Sequence, residues 1–214
     1  MAEYTTDEER FSALVNFFKD NKKTFLVIFS ITSISLIFFL SYQSYSSSQN
    51  EKAAALYDAW IASLAPSASD TANGADHFNQ LQEKYTRTGY AQLARIVRGS
   101  SLAKEEQFDD ALEDFNALLN TSSGFFGNDV LNSIAKINIA RIELSKDNFS
   151  NALQILESFN TNAEHPLVYE VKGDALAGLD KNALALDQYS LALQNAQNES
   201  EKSILQMKIN KLKN

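Results

Sequence analysis

The sequence predicts an all-α protein: a single transmembrane helix near the N-terminus, followed by a water-facing solenoid of stacked helix pairs. Three observations predict it. The stretch Thr24–Leu40, TFLVIFSITSISLIFFL, holds no charged residue. The remainder is rich in Ala, Leu, Asn, Lys, Glu and Gln, and the whole chain has only 7 Gly and 2 Pro, a balance that favours helix over sheet. Small and bulky apolar residues also recur in the second half at fixed intervals.

The elements follow in chain order. Residues 1–23 read as a cytoplasmic segment, in which Phe11, Leu14, Val15, Phe17 and Phe18 fall on one side of a short helix opened by Asp7–Arg10. Such a face suits the membrane surface or a cytoplasmic partner. Residues 24–42 read as the span. They number 19, about 28 Å at ~1.5 Å per residue, close to the thickness of a bilayer's hydrocarbon core. Their Ser and Thr side chains can bond their own helix backbone, and Tyr42 and Tyr45 suit the interface. A buried core helix is the competing reading, but no other stretch is apolar enough to pack around this one. A cleaved signal peptide would have a shorter apolar run and a small-residue end, whereas this run ends in Leu40-Ser41-Tyr42-Gln43, so an uncleaved anchor is expected. Arg10, Lys19, Lys22 and Lys23 precede the span and the first basic residue after it is Lys52. The positive-inside rule then puts the N-terminus in the cytoplasm and the large domain across the membrane.

Residues 43–50 are polar and form either a juxtamembrane linker or a continuation of the helix. Residues 51–214 form the domain. In Glu51–Leu64, Leu56, Trp60 and Leu64 stand four apart on one helix face. Ala65–Asp76 reads as a loop from its Pro, Gly, Ser and Asn. Helices are then predicted over His77–Tyr85, Tyr90–Lys104, Phe108–Asn120, Asp129–Ser145, Phe149–Asn160, Pro166–Leu179, Ala183–Ala196 and Glu201–Leu212. Thr121–Asn128 is the longest break among them, and Pro166 suits a first helical turn, where a missing N–H costs nothing.

Self-similarity ties these helices together. Gly99 is followed after twelve residues by Ala111, then by Phe115 and Leu118. Ala140 leads at the same offsets to Ala152, Leu156 and Phe159, and Gly173 to Ala185, Tyr189 and Ala192. A small residue on the first helix of a pair admits the second helix closely, and the bulky residue fills the gap between neighbouring pairs. Phe108 and Phe149 precede their alanines by three residues, where the third unit has Asn182. The pattern resembles the tetratricopeptide repeat from about Ala94 to Ala196. Its periods of 41 and 33 residues compare with about 34 for that repeat, the excess falling in the Thr121–Asn128 loop. The earlier helices, around Trp60 and Phe78, form a cap or a further degenerate unit.

Composition removes several functions. Of 19 Lys and Arg and 27 Asp and Glu, four and five precede Asn50, so the domain holds 15 against 22 and carries a net charge of −7. Such a domain is poorly suited to phosphate backbones, and no nucleic acid is expected. No Cys is present, so thiol catalysis, disulfides and thiolate metal sites are absent. His77 and His165 lack a metal-spaced partner, no glycine-rich phosphate loop or G-x-S-x-G elbow occurs, and no cofactor or small-molecule substrate is implied. Glu105, Glu106, Asp109, Asp110, Glu113 and Asp114 read as a solvated helix face. The chain is expected not to be an enzyme.

A tetratricopeptide-like array leaves a concave surface lined by the first helix of each pair. That register puts Ile137, Arg141 and Leu144 there from the second unit, and Leu167, Glu170 and Asp174 from the third. They form a candidate partner groove or, alternatively, pack against the C-terminal helix Glu201–Leu212.

The layout also resembles the YfgM family of ancillary SecYEG translocon subunits. The resemblance rests on FSALVNFFKDNKK (Phe11–Lys23) leading into the span, AAALYDAW (Ala53–Trp60) and KYTRTGYAQLARI (Lys84–Ile96). It continues in GDALAGLDKNALALDQYSLAL (Gly173–Leu193) and LQMKINKL (Leu205–Leu212). It implies a bacterial inner-membrane protein with its domain in the periplasm. It further implies association with SecYEG and with a membrane-anchored periplasmic chaperone resembling PpiD. The Ser-rich segment before Glu51 departs from the family pattern. A membrane-anchored scaffold for cell-envelope or division assembly would share the anchor and the repeats, and stays open as the alternative.

Overall fold

A computed structural model of the chain describes residues 6–65, 73–124, 127–159 and 165–213. Among the described residues all regular structure is helical, in agreement with the sequence. The chain divides into two compact units, Met1–Lys52 and Ala53–Asn214.

In the first unit, α1 (Asp7–Asp20) starts at Thr6, whose hydroxyl oxygen accepts the Glu9 amide at 3.3 Å. Three acidic residues in its first turn suit the positive end of the helix dipole. Helix α2 (Lys22–Ser63) follows after Asn21 and runs for 42 residues, so residues 43–50 are helical. This is one helix long and apolar enough to cross a membrane by length and composition, and its apolar window is wholly unburied. Inside that window the Ser30 hydroxyl donates to the Leu26 carbonyl at 2.8 Å and Thr32 to Ile28 at 3.0 Å. These polar groups therefore place no unsatisfied donor in an apolar medium.

The second unit begins with the end of α2, from Ala53, and contains α3 (Gly74–Tyr85), α4 (Gly89–Lys104), α5 (Phe108–Ser122), α6 (Asp129–Ser145), α7 (Phe149–Glu157), α8 (Pro166–Gly178), α9 (Asn182–Asn195) and α10 (Glu199–Lys213). The predicted elements all appear, with ends shifted by up to three residues. Residues 66–72 of the expected first loop, Phe125 and Phe126 of the second, and Asn160 lie outside the described residues. Three hairpins, α4–α5, α6–α7 and α8–α9, stack in sequence, and α10 packs on α9.

Each hairpin turns in the same way. Glu106, Asp147 and Asp180 adopt φ of 61°, 57° and 57°. Each lies five residues before the repeat alanine, Ala111, Ala152 or Ala185. The following amides, of Gln107, Asn148 and Lys181, donate back to Leu102, Glu143 and Leu176 at 2.9, 2.8 and 2.9 Å. This is a Schellman closure with a non-glycine residue in the left-handed position. It turns the chain in a minimum of residues and fixes the phase between the two helices.

The core is a row of four layers. Trp60, Phe78, Leu81, Ala91 and Ala94 form the first, with the Trp60 and Phe78 rings 5.4 Å apart. Ala111, Phe115, Leu118, Ala135, Ile139 and Ile142 form the second. In the third, Ala140, Ala152 and Leu156 meet Ile137, Val168 and Val171. The fourth joins Ala185, Tyr189 and Ala192 to Leu205 and Ile209 of α10. Two of the repeat positions are glycines that sit close to an aromatic ring of the paired helix. A Cβ on Gly99 would lie 3.1 Å from the Phe115 ring, and one on Gly173 would run into the Tyr189 ring.

Candidate partner-binding groove

Helices α4, α6 and α8 are the first members of the three hairpins, and two pockets lie between them. Helix α6 presents Val130, Ile134, Ile137 and Arg141 along one side by their spacing of three and four residues. Toward its N-terminal end it closes against Phe159 and Val168 around an apolar pocket of about 320 Å³. Toward its C-terminal end it faces α4 across a polar pocket of about 410 Å³, with Lys104 on one wall and Arg141 on the other.

The six groove residues expected from sequence fall into three settings. Ile137 is buried with Val168 and Val171, and Leu144 and Leu167 pack against that layer. Arg141 is exposed at the polar pocket. Glu170 and Asp174 are engaged by α10, since the Lys208 ammonium lies 2.7 Å from a carboxylate oxygen of each. The Tyr189 hydroxyl also donates to Asp174 at 2.7 Å. Burial, then this bond to Asp174, pushes the Tyr189 phenol well above its ordinary range. Burial opposes the charge on Lys208, but Asp174 and Glu170 outweigh it and raise the pKa. In this arrangement the acidic pair holds the last helix on the stack, and a variant such as Asp174→Lys would set two ammonium groups together.

One residue corrects the sequence reading. Asp114 was expected on a solvated face, yet it is 0% exposed. Its carboxylate accepts from Arg95 at 3.0 Å and from Arg98 at 2.6 and 2.9 Å. The Arg98 guanidinium also stacks 3.8 Å over the Phe78 ring. Burial pushes the Asp114 carboxyl up against the opposing pull of Arg98 and Arg95. This cluster ties α5 to α4 and α3. The signal was present in the spacing, because Ala111, Asp114, Phe115 and Leu118 form one apolar-facing stripe that the acidic run disguises.

Other members of the acidic run differ. Asp109 is exposed and pairs with Lys146 of the next hairpin at 2.8 Å. That ion pair holds the Asp109 carboxyl below its usual range. His165 caps α8, its Nδ1 accepting the Leu167 amide at 3.3 Å. Lys104 and the apolar pocket around Ile134 were not expected from sequence. Both depend on which helices become neighbours rather than on spacing within one helix.

The family of tetratricopeptide repeat-like domains matches residues 16–214. Several curated proteins called ancillary SecYEG translocon subunits are similar over essentially their full length. That of Neisseria gonorrhoeae is 23% identical over 217 residues, covering 100% of each chain. That of Aggregatibacter actinomycetemcomitans is 25% identical over 213 residues, covering 98% of this chain and 99% of its own. The Haemophilus influenzae protein is 23% identical over 212 residues, covering 99% and 100%. No solved structure matches the chain.

Proposed function

The chain belongs to the family of tetratricopeptide repeat-like domains, and on that premise we propose that it is a non-enzymatic, membrane-anchored interaction subunit of the SecYEG translocon. The observation that carries this reading is end-to-end similarity to several proteins named as ancillary subunits of that translocon. Similarity restricted to the repeats would have supported only a generic binding module. Here it also covers the apolar helix and the segment before it, so anchor and domain travel together.

The physical role follows from that pairing. Residues 24–42 cross the inner membrane and residues 43–50 lead into a periplasmic domain at 51–214. Residues 1–23 stay in the cytoplasm with Arg10, Lys19, Lys22 and Lys23. Tethering to the bilayer raises the domain's effective concentration near any other membrane-bound protein, so weak surface contacts suffice. The domain then links the channel to a membrane-anchored periplasmic chaperone of the PpiD kind, which receives secreted and outer-membrane proteins as they emerge. Among the described residues no group of three or more His, Cys, Asp or Glu is placed to hold a metal.

Two measurements test the proposal. Solubilised gently from native membranes, the full-length chain should co-purify with the channel subunits and with the chaperone. Recovery of envelope-assembly proteins without the channel would favour the scaffold reading instead. Protease added to spheroplasts should digest the C-terminal domain and spare the N-terminal segment, and a protected C-terminus would reverse the orientation.

A further inference from the structure

Helix α1 carries an apolar face, and none of its residues is buried. At ~100° per residue, Phe11, Leu14, Val15 and Phe18 share one side of it. Phe11 is 70% exposed and Leu14 56%. Arg10 and Lys19 fall on the two borders of this face, and Asn16 and Asp20 fall opposite. Arg10 lies 3.6 Å from Asp7, a pair wholly at the surface. The face ends at a bend. The backbone leaves α-helical angles at Asn21, with φ −102° and ψ 15°, and α2 starts at Lys22. Across that break the Phe17 and Phe18 rings lie 5.9 and 4.6 Å from the Phe25 ring. In an unbroken helix residues 18 and 25 would stand about 10.5 Å apart along the axis, at ~1.5 Å per residue, with both side chains leaning the same way. The chain is therefore folded at Asn21, with the Phe18 side of α1 on the inner side of the bend. The Asn21 side-chain amide steadies the turn by donating to the Phe17 carbonyl at 2.9 Å.

The direction of the bend selects what covers the face. Phe25 is the second residue of the apolar run Thr24–Leu40, so the inner side of the elbow is the side on which the bilayer lies. A helix folded that way turns its apolar face toward the hydrocarbon and its Asn16 and Asp20 side toward water. A soluble protein partner would need no such turn toward the span. We propose that α1 lies in the cytoplasmic surface of the membrane, with Phe11, Leu14 and Phe18 inserted among the acyl chains and Arg10 and Lys19 reaching outward to lipid phosphates. Lys22 and Lys23 hold the elbow at the same level. Such a helix is a second attachment to the bilayer, and it fixes the depth of the span by bracing Phe25. This rests on the reading of residues 24–42 as a membrane span and goes beyond it, by giving the cytoplasmic segment a lipid surface as its partner.

The chain has no Cys, so single labels can be placed without background. The full-length chain is placed in nanodiscs of phosphatidylethanolamine and phosphatidylglycerol. It carries one nitroxide at a time, through Phe11→Cys, Leu14→Cys, Asn16→Cys, Asp20→Cys or Ile34→Cys. All these positions are exposed, so no label displaces a packed side chain. Labels replacing Phe11 and Leu14 should collide with dissolved oxygen in preference to a water-soluble nickel complex. They should sit roughly 5–10 Å into the headgroup–acyl boundary. Labels replacing Asn16 and Asp20 should show the reverse preference, and the label replacing Ile34 should be the deepest. Equal water contact at the four α1 positions, with the Ile34 label still deep, overturns the proposal and leaves the span. Protection of the Phe11 and Leu14 labels in native membranes but not in nanodiscs gives the face to a protein instead, and overturns it too. Water contact at the Ile34 label, with the Phe11 and Leu14 labels in lipid, rejects the span reading alone.

Discussion

Replacing glycines by alanine separates close helix packing from ordinary helix propensity. In a helix interior, Gly→Ala gains about 1 kcal/mol. At Gly173 the new methyl would run into Cδ1 and Cε1 of Tyr189 and lie 3.0 Å from Cζ. That ring cannot move aside, because its hydroxyl is tied to Asp174 at 2.7 Å and it is 3% exposed. Overpacking of this kind costs about 1–3 kcal/mol. With the collision at the upper end of that range, Gly173→Ala should lose about 1–2 kcal/mol net. At Gly99 the nearest atoms are 3.1 and 3.2 Å away, so a shift of a few tenths of an ångström suffices and the two effects nearly cancel. At Gly89 nothing lies within 4 Å, and alanine should stabilise by about 0.4–1 kcal/mol. Urea unfolding of residues 51–214, followed by circular dichroism, should therefore rank Gly89→Ala above the wild type, Gly99→Ala beside it and Gly173→Ala below it. A Gly173→Ala domain as stable as the wild type would refute the close crossing of α8 and α9.

Three further outcomes follow from the same contacts. Glu106→Gly should stabilise by up to ~1 kcal/mol, since a left-handed non-glycine costs about 1–2 kcal/mol and glycine's extra unfolded freedom returns part of it; a loss in thermal unfolding would show that the turn is not left-handed. Asp114→Ala should cost about 3–5 kcal/mol by leaving two guanidiniums beside an emptied site, measured by urea midpoint, and an unchanged midpoint would put Asp114 back at the surface. For Lys208 and Tyr189 the folded pKa values lie above the ordinary 10.5 and 10.0, so their contribution is intact below about pH 10 and is lost as pH rises toward the folded values. The urea midpoint should fall across that alkaline range, and less steeply in Lys208→Met; equal slopes would deny the latch on α10.

Periodicity made most of the fold legible. The apolar run, the helix ends and the phase of Ala111, Ala152 and Ala185 depend on residues close in sequence. The hairpin turns were hidden because their left-handed residues are Glu106, Asp147 and Asp180 rather than glycine. Their acidic side chains look like ordinary surface. Asp114 was hidden by its acidic neighbours, and only its partners on α4 reveal that it is buried. Two of the groove residues, Glu170 and Asp174, are committed to a lysine more than thirty positions away, a pairing that no local pattern encodes. The polar pocket joins Lys104 to Arg141 across helices that are not consecutive, so it appears only when the hairpins are stacked.

On the proposed reading, the helical domain works beside the SecYEG channel. Photoreactive residues placed at the exposed positions 130 and 141 of the full-length chain, in living cells, test it most directly. Mass spectrometry of the crosslinked products should identify channel subunits or the membrane-anchored chaperone bound to them. Crosslinks confined to envelope-assembly proteins, with neither the channel nor that chaperone among the products, would contradict the account.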